Sequence, residues 1–218
     1  MNSSLKPDFT SHISGNTYVA PGDFATIYDV NALYSSGIDG TGQSIAVLGQ
    51  TDLYNNGSDI TAFRSASGLP ANPPTVVLVP GSSDPGVVSG DIVEASLDVE
   101  WAGAVAKNAT IIFVNGGSNG VLKALQYAIA NNTAPVISIS YGACEADWGP
   151  VNLNTLAQFG QEANAQGQTI VADAGDSGAA DCDAPSSIVT VATHGLAVNV
   201  PASFPYVTGM GGTEFNEG

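Results

Sequence analysis

The chain has 218 residues, 44% of them hydrophobic, with 20 Asp and Glu against 4 Lys and Arg and a net charge of −16. Length and apolar content suit one globular domain with a sizeable core. The charge largely excludes a binder of nucleic acid and disfavours docking on anionic membranes, and no apolar stretch reaches the length of a membrane span. Charged residues make up only 11% of the chain. Such a surface forms few ion pairs and loses little when its carboxylates protonate, which predicts a secreted protein that tolerates acid. The first fifteen residues lack the apolar core of a signal peptide.

Residues 1–23 are polar and irregular, with Pro7, Gly15 and Pro21 as punctuators, and read as an extended lead-in. A short helix is expected over 24–34. Gly40-Thr41-Gly42 then turns into a short apolar run over 44–49, a buried strand. A helix over 58–67 is bounded by Gly57 and Gly68. A strand over 75–79 ends at Pro80-Gly81, and a Gly/Ser/Pro-rich loop covers 81–90. Residues 91–105 form the clearest helix, with Asp91 at its start. A strand follows over 109–114, an amphipathic helix over 119–131 and a strand over 135–140. A helix over 152–166 stops at Gly167, and a strand covers 169–174. Beyond it come loops with short strands at 188–192 and 205–208. Strands alternating with helices from 44 to 174 predict a single α/β domain over 1–218, a mainly parallel sheet with helices on both faces. The glycines at 37, 40 and 42 precede a strand and do not open a helix after one, so a dinucleotide site is not expected.

In such a sheet, sites gather at the carboxyl ends of the strands. Ser138-Ile139-Ser140-Tyr141-Gly142 runs off one strand and Ala174-Gly175-Asp176-Ser177-Gly178 off the next. An aspartate in the second segment sits in an Asx-turn or presents its carboxyl group to a site. On the 91–105 helix Glu94 and Asp98 are spaced i, i+4 and share a face, with Asp91 a turn earlier. Like charges at this spacing cost a helix roughly a few tenths of a kcal/mol. With Leu97, Trp101 and Val105 around them, the two carboxyl groups are expected to share a proton and to pass one on. The plain alternative is a solvated acidic face. His12 and His194 lack partners at metal-ligand spacing. Cys144 and Cys182 are two buried thiols in a cytosolic protein or one disulfide in a secreted one. If the strands before them are neighbours in a parallel sheet, both cysteines lie beyond the same edge, and a disulfide is predicted.

These segments resemble the sedolisins, or serine-carboxyl peptidases, whose fold is similar to that of subtilisins. Lys6-Pro7-Asp8-Phe9-Thr10 and the stretch from Ala20-Pro21 to Tyr34 resemble the start of the mature enzyme. Thr41-Gly42 through Leu48 resembles its first core strand. Glu94-x-x-x-Asp98 resembles its paired acidic residues, and Ser138 to Gly142 its substrate-pairing strand. Gly175-Asp176-Ser177-Gly178 resembles its oxyanion loop, and residues 201–208 with Gly211-Gly212-Thr213 a segment shortly before its nucleophile. The resemblance implies Glu94 as general base, Asp98 as its orienting and proton-sharing partner, and Asp176, protonated, as oxyanion donor. It implies substrate contacts from Ser138, Ser140, Tyr141, Gly142 and Gly175, and activity in acid, where a carboxylate base titrates. Tyr141 stands where many members have Trp.

The family's nucleophile lies in Ser-Gly-Thr-Ser, and no Gly-Thr-Ser occurs in these 218 residues. Its calcium site also lies further on. The chain therefore reads as a C-terminally incomplete catalytic domain without its N-terminal propeptide, in itself inactive and exposing apolar surface around 196–200 and 206–210. Polypeptide substrates, the propeptide as intramolecular partner, a monomer and calcium in the full-length domain are expected. The alternative is a non-catalytic binding or structural protein on the same fold. A glycosidase pair is disfavoured, because two carboxylates on one helix face cannot flank a bond.

Overall fold

Aliphatic and β-branched runs cut by glycine and polar turns form the strands, and a computed structural model describes residues 9–11, 13–183 and 191–214. A hairpin comes first, β1 (Phe9–Thr10) paired antiparallel with β2 (Thr17–Tyr18). Helices α1 (Pro21–Ile27) and α2 (Val30–Ser35) follow. The alternating core runs β3 (Ser44–Gly49), α3 (Ser58–Ala66), β4 (Thr75–Leu78), α4 (Ile92–Val105), β5 (Thr110–Asn115), α5 (Val121–Ala130) and β6 (Val136–Ile139). Then come β7 (Ala143–Cys144), α6 (Glu145–Ala165), β8 (Thr169–Asp173), β9 (Asn199–Val200) and β10 (Val207–Met210).

Six strands form one sheet in the order β10-β8-β6-β3-β5-β4, and every neighbouring pair is parallel. Because side chains alternate along a strand, each strand feeds two cores. Ala46, Leu48, Ile137, Ile139, Ile170 and Ala172 meet Leu125, Ile129, Leu156 and Ala163 of α5 and α6. Val47, Ile111 and Phe113 meet Ile60 of α3 and Ala95 and Val99 of α4 on the opposite face. Each fully buried aliphatic or aromatic side chain contributes about 1.5–3 kcal/mol. Neighbouring strands β3 and β6 lead off in opposite directions, β3 through α3 to β4 and β6 through α6 to β8. The crevice of a doubly wound sheet opens at such a point, beyond the carboxyl ends of the strands.

Some boundaries differ from the sequence reading. The expected lead-in contains the hairpin and the first turn of α1, where Pro21 occupies the first helical position and Asp23 Oδ2 accepts from Ala20 N at 2.9 Å. The helix expected over 24–34 is two helices, because Asp29 takes a left-handed conformation with φ 55°. Helix α6 begins at Glu145; Gly149 breaks its first turn and Pro150 restarts it. Strand β10 starts at Val207, two residues later than expected. The strand expected over 188–192 lies, but for its last two positions, outside the described residues, as does His12.

A buried cation ties α3 to α4. Arg64 donates to the carbonyls of Pro70 (2.8 Å), Gly103 (2.8 Å) and Lys107 (2.9 Å), close to the negative end of the α4 dipole.

Candidate active site

Ile137 and Ile139 point into the α5/α6 core, so alternation turns Ser138 and Ser140 toward α4. Ser140 sits just past the end of β6 and its Oγ donates to Asp98 Oδ1 at 2.8 Å. The other Asp98 oxygen is buried and has no donor. Its neighbour is the Glu94 carboxyl group. Two carboxylates can only accept, so a proton shared between them is what satisfies that oxygen. Burial pushes Asp98 up to about 7, with the charges of Glu94 and Asp173 adding and the Ser140 hydroxyl opposing. Glu94 is also raised, chiefly by burial, with the charges of Asp173 and Asp176 adding.

Tyr141 follows directly. Its hydroxyl is buried, and burial together with the charges of Asp91, Asp98 and Glu94 holds it far above the usual phenol range. Gln50, one residue past β3, links two helix starts: its Nε2 donates to Asp91 Oδ1 at 2.9 Å and its Oε1 accepts from Val121 N at 3.1 Å.

The opposite wall comes from the end of β8. Asp173 Oδ2 accepts from Gly175 N at 3.1 Å, and Asp173 Oδ1 is buried without a donor. Asp176 is exposed, and its charge acts on Glu94. Two glycines are required here. Gly175 has φ +78°, and a Cβ on it would lie 2.3 Å from Asp181 Oδ1; a Cβ on Gly142 would lie 2.0 Å from Asn199 Oδ1. Asn199, only 7% exposed, is wedged between these glycines on β9, which pairs antiparallel with β7. Cys144 and Cys182 form the expected disulfide, with Cα atoms 4.9 Å apart, and the strands before them, β6 and β8, are neighbours. Ser177 Oγ donates to the carbonyl of Asp183 at 2.8 Å, so its hydroxyl is turned into its own loop. Asp183 accepts from Thr193 N at 3.0 Å, His194 N at 3.1 Å and His194 Nδ1 at 2.9 Å, and from the Thr193 hydroxyl; these donors hold it well below the usual carboxylate range.

The structure thus brings together Glu94, Asp98, Ser140 and Tyr141, with the charge of Asp176 in the neighbouring loop acting on Glu94 and Ser138 one step back on the same sheet face. The apolar surround differs from expectation. Leu97 is 46% exposed, and Trp101 packs on the rings of Phe24 and Phe63, with centroids at 5.6 and 6.2 Å. Asp173, Gln50 and Asn199 escaped the sequence reading. Alternation along 169–173 was the signal for Asp173; nothing local marks Asn199. Among the described residues, no three His, Cys, Asp or Glu side chains converge to hold a metal ion, and no helix is long and apolar enough to cross a membrane.

No family model matches the chain. It is 32% identical over 210 residues to kumamolisin of Bacillus sp. (strain MN-32), covering 93% of this chain and 36% of kumamolisin. It is 30% identical over 206 residues to sedolisin of Pseudomonas sp. (strain 101), covering 88% and 33% respectively. Tripeptidyl-peptidase 1 of Homo sapiens is 29% identical over 220 residues, covering 97% and 37%. The chain spans about a third of the length of these curated relatives. Among solved structures, Pseudomonas sedolisin, a serine-carboxyl proteinase complexed with two molecules of pseudo-iodotyrostatin, superposes with a TM-score of 0.73 at 27% identity, covering 89% of this chain and 53% of that one. A lanthipeptide protease, 18% identical with a TM-score of 0.54, shares the fold.

Proposed function

The chain belongs to the sedolisin family, and from that premise we propose that it carries the base and oxyanion side of an acid-acting serine-carboxyl endopeptidase. The observation that carries this reading is the Glu94–Asp98 pair at the carboxyl end of a subtilisin-like sheet, with one Asp98 oxygen held by Ser140 and the other buried without a donor. Glu94 takes the proton of a serine nucleophile as it attacks the scissile carbonyl and returns it to the leaving amine. Asp98, fixed by Ser140, orients Glu94 and shares its proton. Asp176, in its protonated form, donates to the developing oxyanion. The backbone around Ser138, Ser140, Tyr141, Gly142 and Gly175 lies along the substrate.

The nucleophile and the calcium ion belong to polypeptide outside these 218 residues. Ser177 is engaged within its own loop. The substrates are polypeptides, a propeptide precedes the domain, the enzyme is monomeric, and it acts outside the cell. The full-length gene product tests the reading. Peptide hydrolysis at about pH 4 should fall by about 10²–10⁴ in Glu94→Gln with an unchanged circular dichroism spectrum. The 218-residue chain alone should give no turnover. An active Glu94→Gln enzyme would sink the proposal. Catalytically silent full-length protein that binds peptides would favour a non-catalytic role on the same fold.

A further inference from the structure

We infer that Asp173 is a positioning residue of this site: its carboxyl group anchors the loop that presents Asp176 and sets the charge against which the Glu94–Asp98 pair gives up its proton. The inference rests on the peptidase reading for its catalytic meaning, not for its geometry.

Asp173 is the last residue of β8. Ile170 and Ala172 point into the α5/α6 core, so Asp173 points to the face on which α4 lies. Ile139 is in register with Ala172, which sets Asp173 beside Ser140, the residue that holds Asp98. On its other flank the register partner is Met210, which carries no charge. One carboxyl oxygen accepts from Gly175 N, next to Asp176, and the other is buried with no donor. Among the described residues, the charged groups linked to it are acidic: Glu94 and Asp98 from α4, and Asp176 and Asp181 from the loop after β8. Burial raises Asp173 in turn, and the neighbouring aspartates add to that. When Asp173 is ionised, a like charge faces the pair and keeps it protonated to higher pH.

The plain reading is an Asx-turn, and an asparagine would make that turn equally well. The two roles therefore separate in Asp173→Asn, which keeps the acceptor for Gly175 N and loses the charge, and Asp173→Ala, which loses both. Carboxyl-carbon NMR of Asp- and Glu-labelled full-length protein reads the Asp98 titration directly. Both variants should move its midpoint to lower pH by about half a pH unit or more. In the pH profile of kcat/KM for a peptide substrate, the alkaline limb should move down by the same amount, because the pair then gives up its shared proton earlier. At its own optimum Asp173→Ala should be about tenfold slower than Asp173→Asn, because only the alanine releases the Asp176 loop.

An Asp98 midpoint that stays put in Asp173→Asn overturns the electrostatic role. Equal rates for the two variants at their optima, with thermal midpoints showing both folded, overturn the anchoring role. A wild-type protein without hydrolysis, or an active Glu94→Gln, refutes the peptidase reading instead, and the NMR titration still decides the inference about Asp173.

Discussion

The floor of the candidate site and the loop beyond it hold the same side chain in opposite ways. At the floor, Asp98 and Asp173 each leave one buried oxygen without a donor, and burial drives both toward the neutral form. Ten residues after Asp173, Asp183 accepts from the backbone and side chains of Thr193 and His194, the one ion pair among the described residues, and stays ionised far into acid. Donor supply, more than depth alone, decides which aspartate keeps its proton. In moderate acid the first group holds protons for chemistry while the second stays charged and closes its loop.

The contrast has a sign in stability. Asp98 and Glu100, the latter raised to about 7 by burial and by the charge of Asp59, penalise the fold as pH climbs from the ordinary carboxylate range toward 7. Asp183, depressed, supports the fold above the ordinary value of about 3.9 and fails only when pH falls through its own lower value. The fold is thus expected to be most stable near pH 4–5.

The largest disruption should come from the disulfide that joins the two regions, since Cys144 follows the Ser140 segment and Cys182 precedes Asp183. Cys144→Ser with Cys182→Ser should cost about 3–4 kcal/mol in urea unfolding of the full-length protein; an equal midpoint with and without the bridge would uncouple the regions. Next, Asp98→Asn should reduce the loss of stability between pH 5 and 7 by roughly 2 kcal/mol, read as a flatter plot of thermal midpoint against pH. A slope unchanged from wild type would place the titration elsewhere. Asp183→Asn should then produce a smaller drop in midpoint at pH 5 and quicker proteolytic nicking between 183 and 193. Indifference there would mean that the clamp does not matter. The smallest effect belongs to Asp91→Asn, whose amide oxygen can still accept from Gln50. Its kcat/KM should fall by less than about threefold, and a loss like that of Glu94→Gln would mean a general acidic face rather than a base pair.

The buried parallel strands were legible because they are near-continuous apolar runs between glycine and proline turns: β3, β5, β6 and β8 lie within a residue or two of their expected positions. The i, i+4 spacing of Glu94 and Asp98 and the positions of the two cysteines were equally open to reading. The break at Asp29 was not, since a non-glycine left-handed residue is stabilised by what packs around it. Asp173 falls inside the strand expected over 169–174; knowing that its parity points to α4 requires knowing which face α4 covers. Asn199 acts through β9, a two-residue strand whose pairing with β7 is wholly long-range.

Arg64 has one more consequence. Of the three described cationic side chains, Arg64 is locked under backbone carbonyls, Lys107 lies over the Tyr34 ring at 3.9 Å, and Lys123 stands on α5. A peptidase that cleaves after lysine or arginine must draw an extended stretch of chain into its cleft. Here, at each of these positions, it would have to unravel a helix or its C-terminal turn first. The described surface is thus nearly unreadable to trypsin-like enzymes, a form of self-protection written in the scarcity and placement of positive charge.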